Sequence, residues 1–171
     1  SMTITVNSVN DAPTTSGGAA TVAEDATHTF TTTASDWGYV DVDSGDAMTS
    51  VDITTLPGTG TLRYGGADVS AGDDIAIANL GGLTYVPVAN ANGAVTFTFK
   101  VYDGEALSAS AGTFTLTYTA VDDAPVCEAG NAQSVAEGAT VTLDGTGSSD
   151  VESDTITYAW TVASGTAQTV S

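Results

Sequence analysis

Basic side chains are almost absent from this chain. Of its 171 residues only Arg63 and Lys100 are basic, against 21 acidic residues, and the formal net charge is −19. Proteins bind nucleic acids and anionic lipid surfaces largely through Lys and Arg, which displace the counterions of the phosphates. We therefore expect neither to be a partner and expect divalent cations to be attracted instead. A solvated acidic coat that only maintains solubility is the alternative.

Cysteine and histidine are also scarce, with one residue of each, Cys127 and His28. A single cysteine excludes an intramolecular disulfide, and one Cys with one His cannot form a four-ligand zinc site. We expect the Cys127 thiol to be buried as a small apolar group. No apolar run reaches the roughly 18 residues of a membrane-spanning helix, so no membrane insertion is expected for this sequence.

Short segments in which apolar residues alternate with Thr dominate what is present. Alternation at period two predicts strands with one buried face, and turns rich in Gly, Pro and Asn separate the segments. The clearest segments are Thr27–Thr33, Val51–Thr55, Val95–Val101, Thr113–Val121, Val141–Leu143 and Thr155–Val162. Many short strands with regular turns predict an all-β fold, an antiparallel sandwich.

The sequence repeats itself. Ile4–Pro13 (ITVNSVNDAP) matches Leu116–Pro125 (LTYTAVDDAP), and Thr21–Phe30 (TVAEDATHTF) matches Ser134–Leu143 (SVAEGATVTL). Repetition over such a distance predicts tandem modules. We predict the last strand and linker of a preceding module at 1–12, a complete seven-stranded module at 13–122, and an incomplete β-sandwich module at 123–171.

Acidic residues far apart in the sequence are predicted to gather at the two ends of the complete module. Because antiparallel strands alternate in direction, the entering linker, the loop after the second strand and the loop before the last strand fall together, at the entry end. The residues placed there are Asn10, Asp11, Asp36, Asp41, Asp43, Asp46, Asp103 and Glu105. Those placed at the opposite, exit end are Glu24, Asp122, Asp123, Asp150, Glu152 and Asp154.

Carboxylates crowded in this way raise one another's pKa and repel unless a cation compensates them. Oxygen ligands on loops, without nitrogen or sulfur, suit Ca²⁺ better than transition metals. The sequence therefore predicts calcium at the ends of the module. The alternative is that each Asp serves only the turn in which it lies.

Several motifs occur in a characteristic order. They are the linkers NDAP and DDAP, the run SDWGYVDVDSGDAMTSVDITTLPGTGTL, and the segments LTYVPVANANG and FTFKVYDG. This order is similar to that of the bacterial cadherin-like tandem repeats of large surface adhesins, and it also resembles the chondroitin sulfate proteoglycan type repeat. The resemblance covers nearly all of residues 4–125. The stretch that follows (APVCEAGNAQSVAEGATVTLDGTGSSDVESDTITYAWTVASG) resembles the start of a PKD-like Ig-fold domain.

The resemblance implies an Ig/cadherin-like sandwich, bound Ca²⁺ and an extracellular or bacterial cell-surface location. In such repeats a glutamate near the first strand, the linker Asn-Asp, a DxD motif in the loop after the second strand and an Asp after the sixth strand bind calcium. These roles fall on Glu24, Asn10, Asp11, Asp41, Asp43 and Asp103. At the junction between the complete module and the module that follows it, they fall on Asp122, Asp123, Asp150 and Glu152. Asp46 is kept in the predicted set, although Ser44 interrupts the usual DxDGD pattern before it.

The implied function is a calcium-braced structural or adhesive repeat whose partners are neighbouring repeats of the same chain. A cell-surface protein or a glycan is a further candidate partner. A carbohydrate-binding module is the alternative, with Trp37 and Tyr39 stacking on a sugar, although aromatics around such a loop also pack beneath it. The lone His28 lies within an alternating strand, and no catalytic triad has sequence support. We therefore expect that the chain is not an enzyme.

The incomplete module is expected to expose strand edges and apolar faces. We predict that a strand from elsewhere, such as Thr3–Val9 of a second copy, pairs with it in a strand-exchanged homodimer.

Overall fold

A computed structural model describes residues 2–5, 9–91 and 93–161 of the chain. The chain folds as two units, Ser1–Val121 and Asp122–Ser171. In the part of the chain that the structure describes, the helices are too short and too polar to cross a membrane.

The first unit is built almost entirely from short strands. In chain order they are β1 (Thr14–Thr15), β2 (Gly18–Ala23), β3 (His28–Thr29), β4 (Tyr39–Val40), β5 (Ser50–Thr55), β6 (Thr61–Tyr64), β7 (Ala67–Asp68), β8 (Asp74–Ala76), β9 (Leu83–Val86), β10 (Ala94–Tyr102) and β11 (Gly112–Thr119). Two 3₁₀-helices, Ala34–Trp37 and Ile77–Gly82, connect them.

The strands form two main sheets and one small one. The larger sheet has the order β2-β11-β10-β5-β8, the second has the order β3-β9-β6-β7, and β1 pairs with β4. The predicted all-β, sandwich-like fold is confirmed, but the described residues of the first unit form eleven short strands and not the seven predicted. One pair departs from the antiparallel expectation, because β2 runs parallel to β11. Both strands run from the entry end to the exit end, so they can pair only in parallel.

The core lies between the two main sheets and is rich in aromatic side chains. On β10 and β11 every second residue is buried, which places Phe97, Phe99 and Phe114 inside. The ring of Phe30 and the fully buried indole of Trp37 pack against them, Trp37 meeting Phe99 edge-to-face with centroids 4.9 Å apart. Such pairs stabilise a core beyond the area they bury, and they hold β10 in place beneath the loops of the entry end.

The predicted strand Thr27–Thr33 is cut short in the structure. Only β3 forms a ladder, and the chain then turns into the 3₁₀-helix Ala34–Trp37, which ends at Gly38 in the left-handed conformation (φ 63°). This helical turn carries Trp37 into the core, and the burial of the indole outweighs the strand preference of the Thr residues.

The second unit has little regular structure. Among its described residues, 122–161, no strand is formed, and a single antiparallel bridge joins Val126 to Ser149. The predicted strands Val141–Leu143 and Thr155–Val162 therefore have no ladder there, and Val162 itself lies outside the described residues. Cys127 is exposed, so the prediction of a buried thiol is wrong.

The predicted strand Thr3–Val9 is only partly described. Residues 6–8 lie outside the described residues, and residues 3–5 and 9 form no strand. The predicted strand exchange with a second copy stays a prediction.

Candidate metal centre

Three aspartates follow β4 at the entry end. Asp41, Asp43 and Asp46 each offer a carboxylate oxygen, and these oxygens lie within 4.8 Å of one another. Ca²⁺ binds oxygen at 2.3–2.6 Å, so two oxygens on one ion are at most about 5 Å apart. The spacing and the all-oxygen chemistry of the set are compatible with part of the coordination shell of one Ca²⁺ ion, which takes six to eight oxygen ligands.

Backbone and side-chain donors orient two of these carboxylates. The Asp43 N–H donates to Asp41 Oδ1 (2.8 Å), and the Tyr39 hydroxyl donates to Asp41 Oδ2 (3.3 Å). The Asp11 N–H donates to Asp43 Oδ2 (2.7 Å). The linker backbone is therefore attached to the aspartate loop, and the buried Pro13 anchors the linker to the first unit.

Asp103 lies directly after β10 and is buried. Its Oδ1 accepts the backbone N–H groups of Glu105 (2.6 Å) and Ala106 (2.7 Å), and its Oδ2 accepts the Asn10 side-chain amide (3.2 Å). Desolvation raises the pKa of Asp103, but these donors favour the ionised form and lower the pKa overall. A charged carboxylate is thus held beside the linker.

The carboxylates at the entry end affect one another. Desolvation raises the pKa of Asp46, and the negative charges of Asp43, Asp41 and Asp103 raise it further. The pKa of Tyr39 rises to about 12, through desolvation and then through Asp41 and the other nearby carboxylates. Asp41, Asp43 and Asp103 thus lie close enough to Asp46 for their negative charges to act on it.

Basic side chains do not compensate this charge within the described residues. Arg63 on β6 pairs with Asp68 (Nε to Oδ1, 2.9 Å), and Lys100 on β10 stands across from Asp52 on β5. These are the only two basic residues of the sequence. The excess of negative charge at the entry end is what a bound cation would neutralise.

The structure brings together most of the residues predicted for the entry end. Hydrogen bonds join Asn10 to Asp103 and Asp11 to Asp43. Asp41, Asp43 and Asp46 lie together, and the negative charge of Asp103 acts on Asp46. The insertion of Ser44 does not remove Asp46 from the group. Asp36 is used locally instead, since its Oδ2 accepts the Thr31 hydroxyl (2.5 Å), and Glu105 is exposed. Whether these residues bind a metal stays a prediction.

Glu24 lies at the exit end of the same sheet. It follows β2, which is parallel to β11, whereas Asp103 follows β10, which is antiparallel to β11. The two carboxylates are thus separated by the length of β11, roughly 25 Å. Glu24 is buried, and its Oε1 accepts the Val121 N–H (2.8 Å). Its carboxylate secures the chain where it leaves β11.

A second acidic cluster lies within the second unit. Asp150 Oδ1 accepts the N–H groups of Glu152 and Asp154 (both 3.1 Å), and Glu152 Oε2 accepts the Asp123 N–H (3.3 Å). Desolvation raises the pKa of Glu152. A cavity of about 370 Å³ is lined in part by Asp122, Asp123, Asp150 and Asp154. The participation of Glu24 in this cluster would join the two units and stays a prediction.

The aromatic residues of the loop have roles that the sequence left open. Trp37 is fully buried and its indole N–H donates to the Thr31 carbonyl (3.2 Å), so it cannot stack on a sugar. Tyr39 is half-buried and contacts Asp41 through its hydroxyl. The sequence contains one indication of this contact. Tyr39 and Asp41 are two residues apart, and in an extended chain such residues lie on the same side.

Comparison with known proteins gives a family for each unit. A model described as a cadherin-like domain matches residues 9–119, more than half of the chain, and a model described as a PKD domain matches residues 122–171. Searches of curated proteins and of solved structures returned no match. The predicted order, cadherin-like and then PKD-like, is confirmed.

Proposed function

The chain belongs to the cadherin-like domain family, and from this premise we propose that it is a calcium-braced spacer or adhesive segment of a large exported bacterial surface protein. Cadherin-like and PKD domains are extracellular β-sandwich modules of structural or adhesive kind, and they are non-catalytic module types. The proposed partners are neighbouring modules of the same chain.

One observation carries the proposal. Asp41, Asp43 and Asp46 offer oxygens at the spacing of a single Ca²⁺ ion, and the linker residues Asn10 and Asp11 are hydrogen-bonded to Asp103 and Asp43 around the same place. A bound Ca²⁺ ion would supply the positive charge that this set lacks. The chain's own part is to present oriented carboxylates from the loop, from the end of β10 and from the linker.

Such an arrangement stabilises the linker by linkage. A cation that binds the ordered set and not the unfolded chain adds RT ln(1 + [Ca²⁺]/Kd) to the free energy of unfolding. Extracellular modules bind Ca²⁺ with Kd values of roughly 10⁻⁴ to 10⁻³ M, so about 10 mM calcium, the concentration used in the test below, adds about 1 to 3 kcal/mol. A bound ion would thus hold the linker against the aspartate loop in addition to the hydrogen bonds of Asn10 and Asp11.

The test is thermal unfolding in about 10 mM calcium and in chelator. We expect the Tm of the chain to rise by roughly 4 °C or more in calcium, and the double variant Asp41→Asn, Asp43→Asn to lose this rise. The matched control is the double variant Asp52→Asn, Asp74→Asn. These two residues pair across β5 and β8, and their substitution removes the same amount of negative charge away from the loop. Equal Tm values for the wild type in calcium and in chelator would refute calcium bracing.

A further inference from the structure

Tyr39 joins the hydrophobic core of the first unit to the loop that contains Asp41, Asp43 and Asp46. It lies on β4, where it pairs with Thr15 of β1, and its ring packs against the hydrophobic core. Its hydroxyl donates to Asp41 Oδ2 at 3.3 Å. The packing and strand pairing of Tyr39 fix the position of its hydroxyl. Asp41 lies in a loop, so this hydroxyl can orient its carboxylate.

We propose that Tyr39 is a positioning residue of the cation site, and this inference rests on the proposed function. The Tyr39 hydroxyl holds Asp41 Oδ2 while the Asp43 N–H holds Oδ1, so the plane of the carboxylate is fixed. Each carboxylate oxygen can accept two contacts, and one remains open on each for a metal. Tyr39 itself is not a ligand and acts through Asp41.

The connection extends from the site to the linker. Thr14 and Thr15 of β1 pair with Val40 and Tyr39 of β4, and β1 follows the linker directly. The orientation of Asp41 is therefore coupled to the strand with which the linker enters the first unit. Outer partners that orient metal ligands in this way typically change metal affinity by 10- to 100-fold when they are lost.

The chain offers a matched control for the removal of one hydroxyl. Tyr102 also lies near Asp103 at the entry end, but its hydroxyl donates to the Gly104 carbonyl (2.9 Å) and not to a carboxylate. Tyr39→Phe and Tyr102→Phe each remove one hydroxyl. The hydroxyl of Tyr39 contacts the predicted ligand Asp41, whereas that of Tyr102 contacts no predicted ligand.

The experiment measures the Ca²⁺ dissociation constant of the full chain by titration calorimetry. We expect Tyr39→Phe to bind Ca²⁺ about tenfold more weakly than the wild type and Tyr102→Phe to stay within about twofold. In a protein that already carries Asp41→Asn, adding Tyr39→Phe should weaken Ca²⁺ binding by less than about twofold, because the effect of Tyr39 on the ion passes through Asp41.

The outcomes separate the two proposals. If the wild type binds Ca²⁺ and Tyr39→Phe binds it equally well, the positioning role is overturned and calcium bracing stands. An equal loss in the wild-type and Asp41→Asn backgrounds also overturns it, because Tyr39 then acts independently of Asp41. A large fall of Tm in chelator for Tyr39→Phe would show a structural role and overturn it as well. A wild type that binds no Ca²⁺ refutes both proposals.

Discussion

The two units begin with similar sequences and reach different structures. In Thr21–Phe30 of the first unit, Val22 and Phe30 are 4% and 3% exposed. At the matching positions of the second unit, Val135 and Leu143 are 51% and 46% exposed. The alternating pattern thus specifies which side chains a sandwich would bury, but it does not bury them by itself.

The difference lies in the partners of the strands. In the first unit β2 pairs with β11 and β3 pairs with β9. Each short segment therefore forms backbone hydrogen bonds with a strand far along the chain. The described residues of the second unit supply one bridge, between Val126 and Ser149. A strand or a lone hairpin is marginal in water, and three or more strands with a shared apolar face are needed for stability.

The largest expected effect comes from the core positions that match between the units. Phe30→Ala should lower the free energy of unfolding of the first unit by about 3 to 5 kcal/mol, because Phe30 is buried among aromatic rings. Leu143→Ala should change the free energy of unfolding of the second unit by less than about 0.5 kcal/mol, since Leu143 is half exposed. Urea denaturation followed by tryptophan fluorescence measures both. Similar losses for the two variants would mean that the second unit has a core of its own.

An intermediate effect is expected at the matching glutamates. Glu24→Ala removes the acceptor of the Val121 N–H and should cost about 1 to 3 kcal/mol. Glu137→Ala is the control, since Glu137 is exposed, and it should have almost no effect. The same denaturation measurement, made in chelator, isolates this contact from any metal. A neutral Glu24→Ala would show that the carboxylate does not secure the chain at the exit end.

The smallest expected effect is a dependence on pH. Hydrogen bonds lower the pKa of Asp103 in the first unit and of Asp144 in the second, where Thr146 donates to the carboxylate. A lowered pKa in the folded state adds stability above the ordinary Asp pKa of about 3.9, and this stability is lost as the pH falls through the folded pKa. Asp103→Asn should therefore destabilise the first unit in chelator at neutral pH, with a difference from wild type that shrinks toward pH 3. Asp144→Asn should leave the Tm of the first unit unchanged at every pH, and a constant difference for Asp103→Asn would contradict the assignment.

The sequence predicted those parts of the fold that depend on local pattern. The strands β10 and β11 follow the predicted segments Val95–Val101 and Thr113–Val121 closely, because alternation persists over many residues there. The strands β1, β4 and β7 have two residues each, too few for any pattern. The parallel pairing of β2 with β11 depends on contacts between the two ends of the module, which alternation within a segment does not encode.

The candidate metal centre was predictable where ligands occur in a motif. The predicted ligands Asn10 with Asp11 and Asp41 with Asp43 stand in short linker and loop motifs, and the alternation of strand directions predicts that they lie at one end; their binding of a metal stays a prediction. The hydroxyl contact of Tyr39 was not predicted. The two-residue spacing puts Tyr39 and Asp41 on the same side of the chain, but the contact also depends on the position of β4 against β1 and the core. The exposure of Cys127 was missed because burial was expected from residue type alone, in a unit with few partner strands.

The parallel ladder between β2 and β11 has a mechanical consequence. Six residue pairs connect the two strands, from Gly18 with Phe114 to Ala23 with Thr119. Tension applied between Gly18 and Thr119 pulls one strand backward along the other, so the ladder is loaded in shear and its hydrogen bonds share the force. A hairpin pulled from its open end would instead unzip one bond at a time.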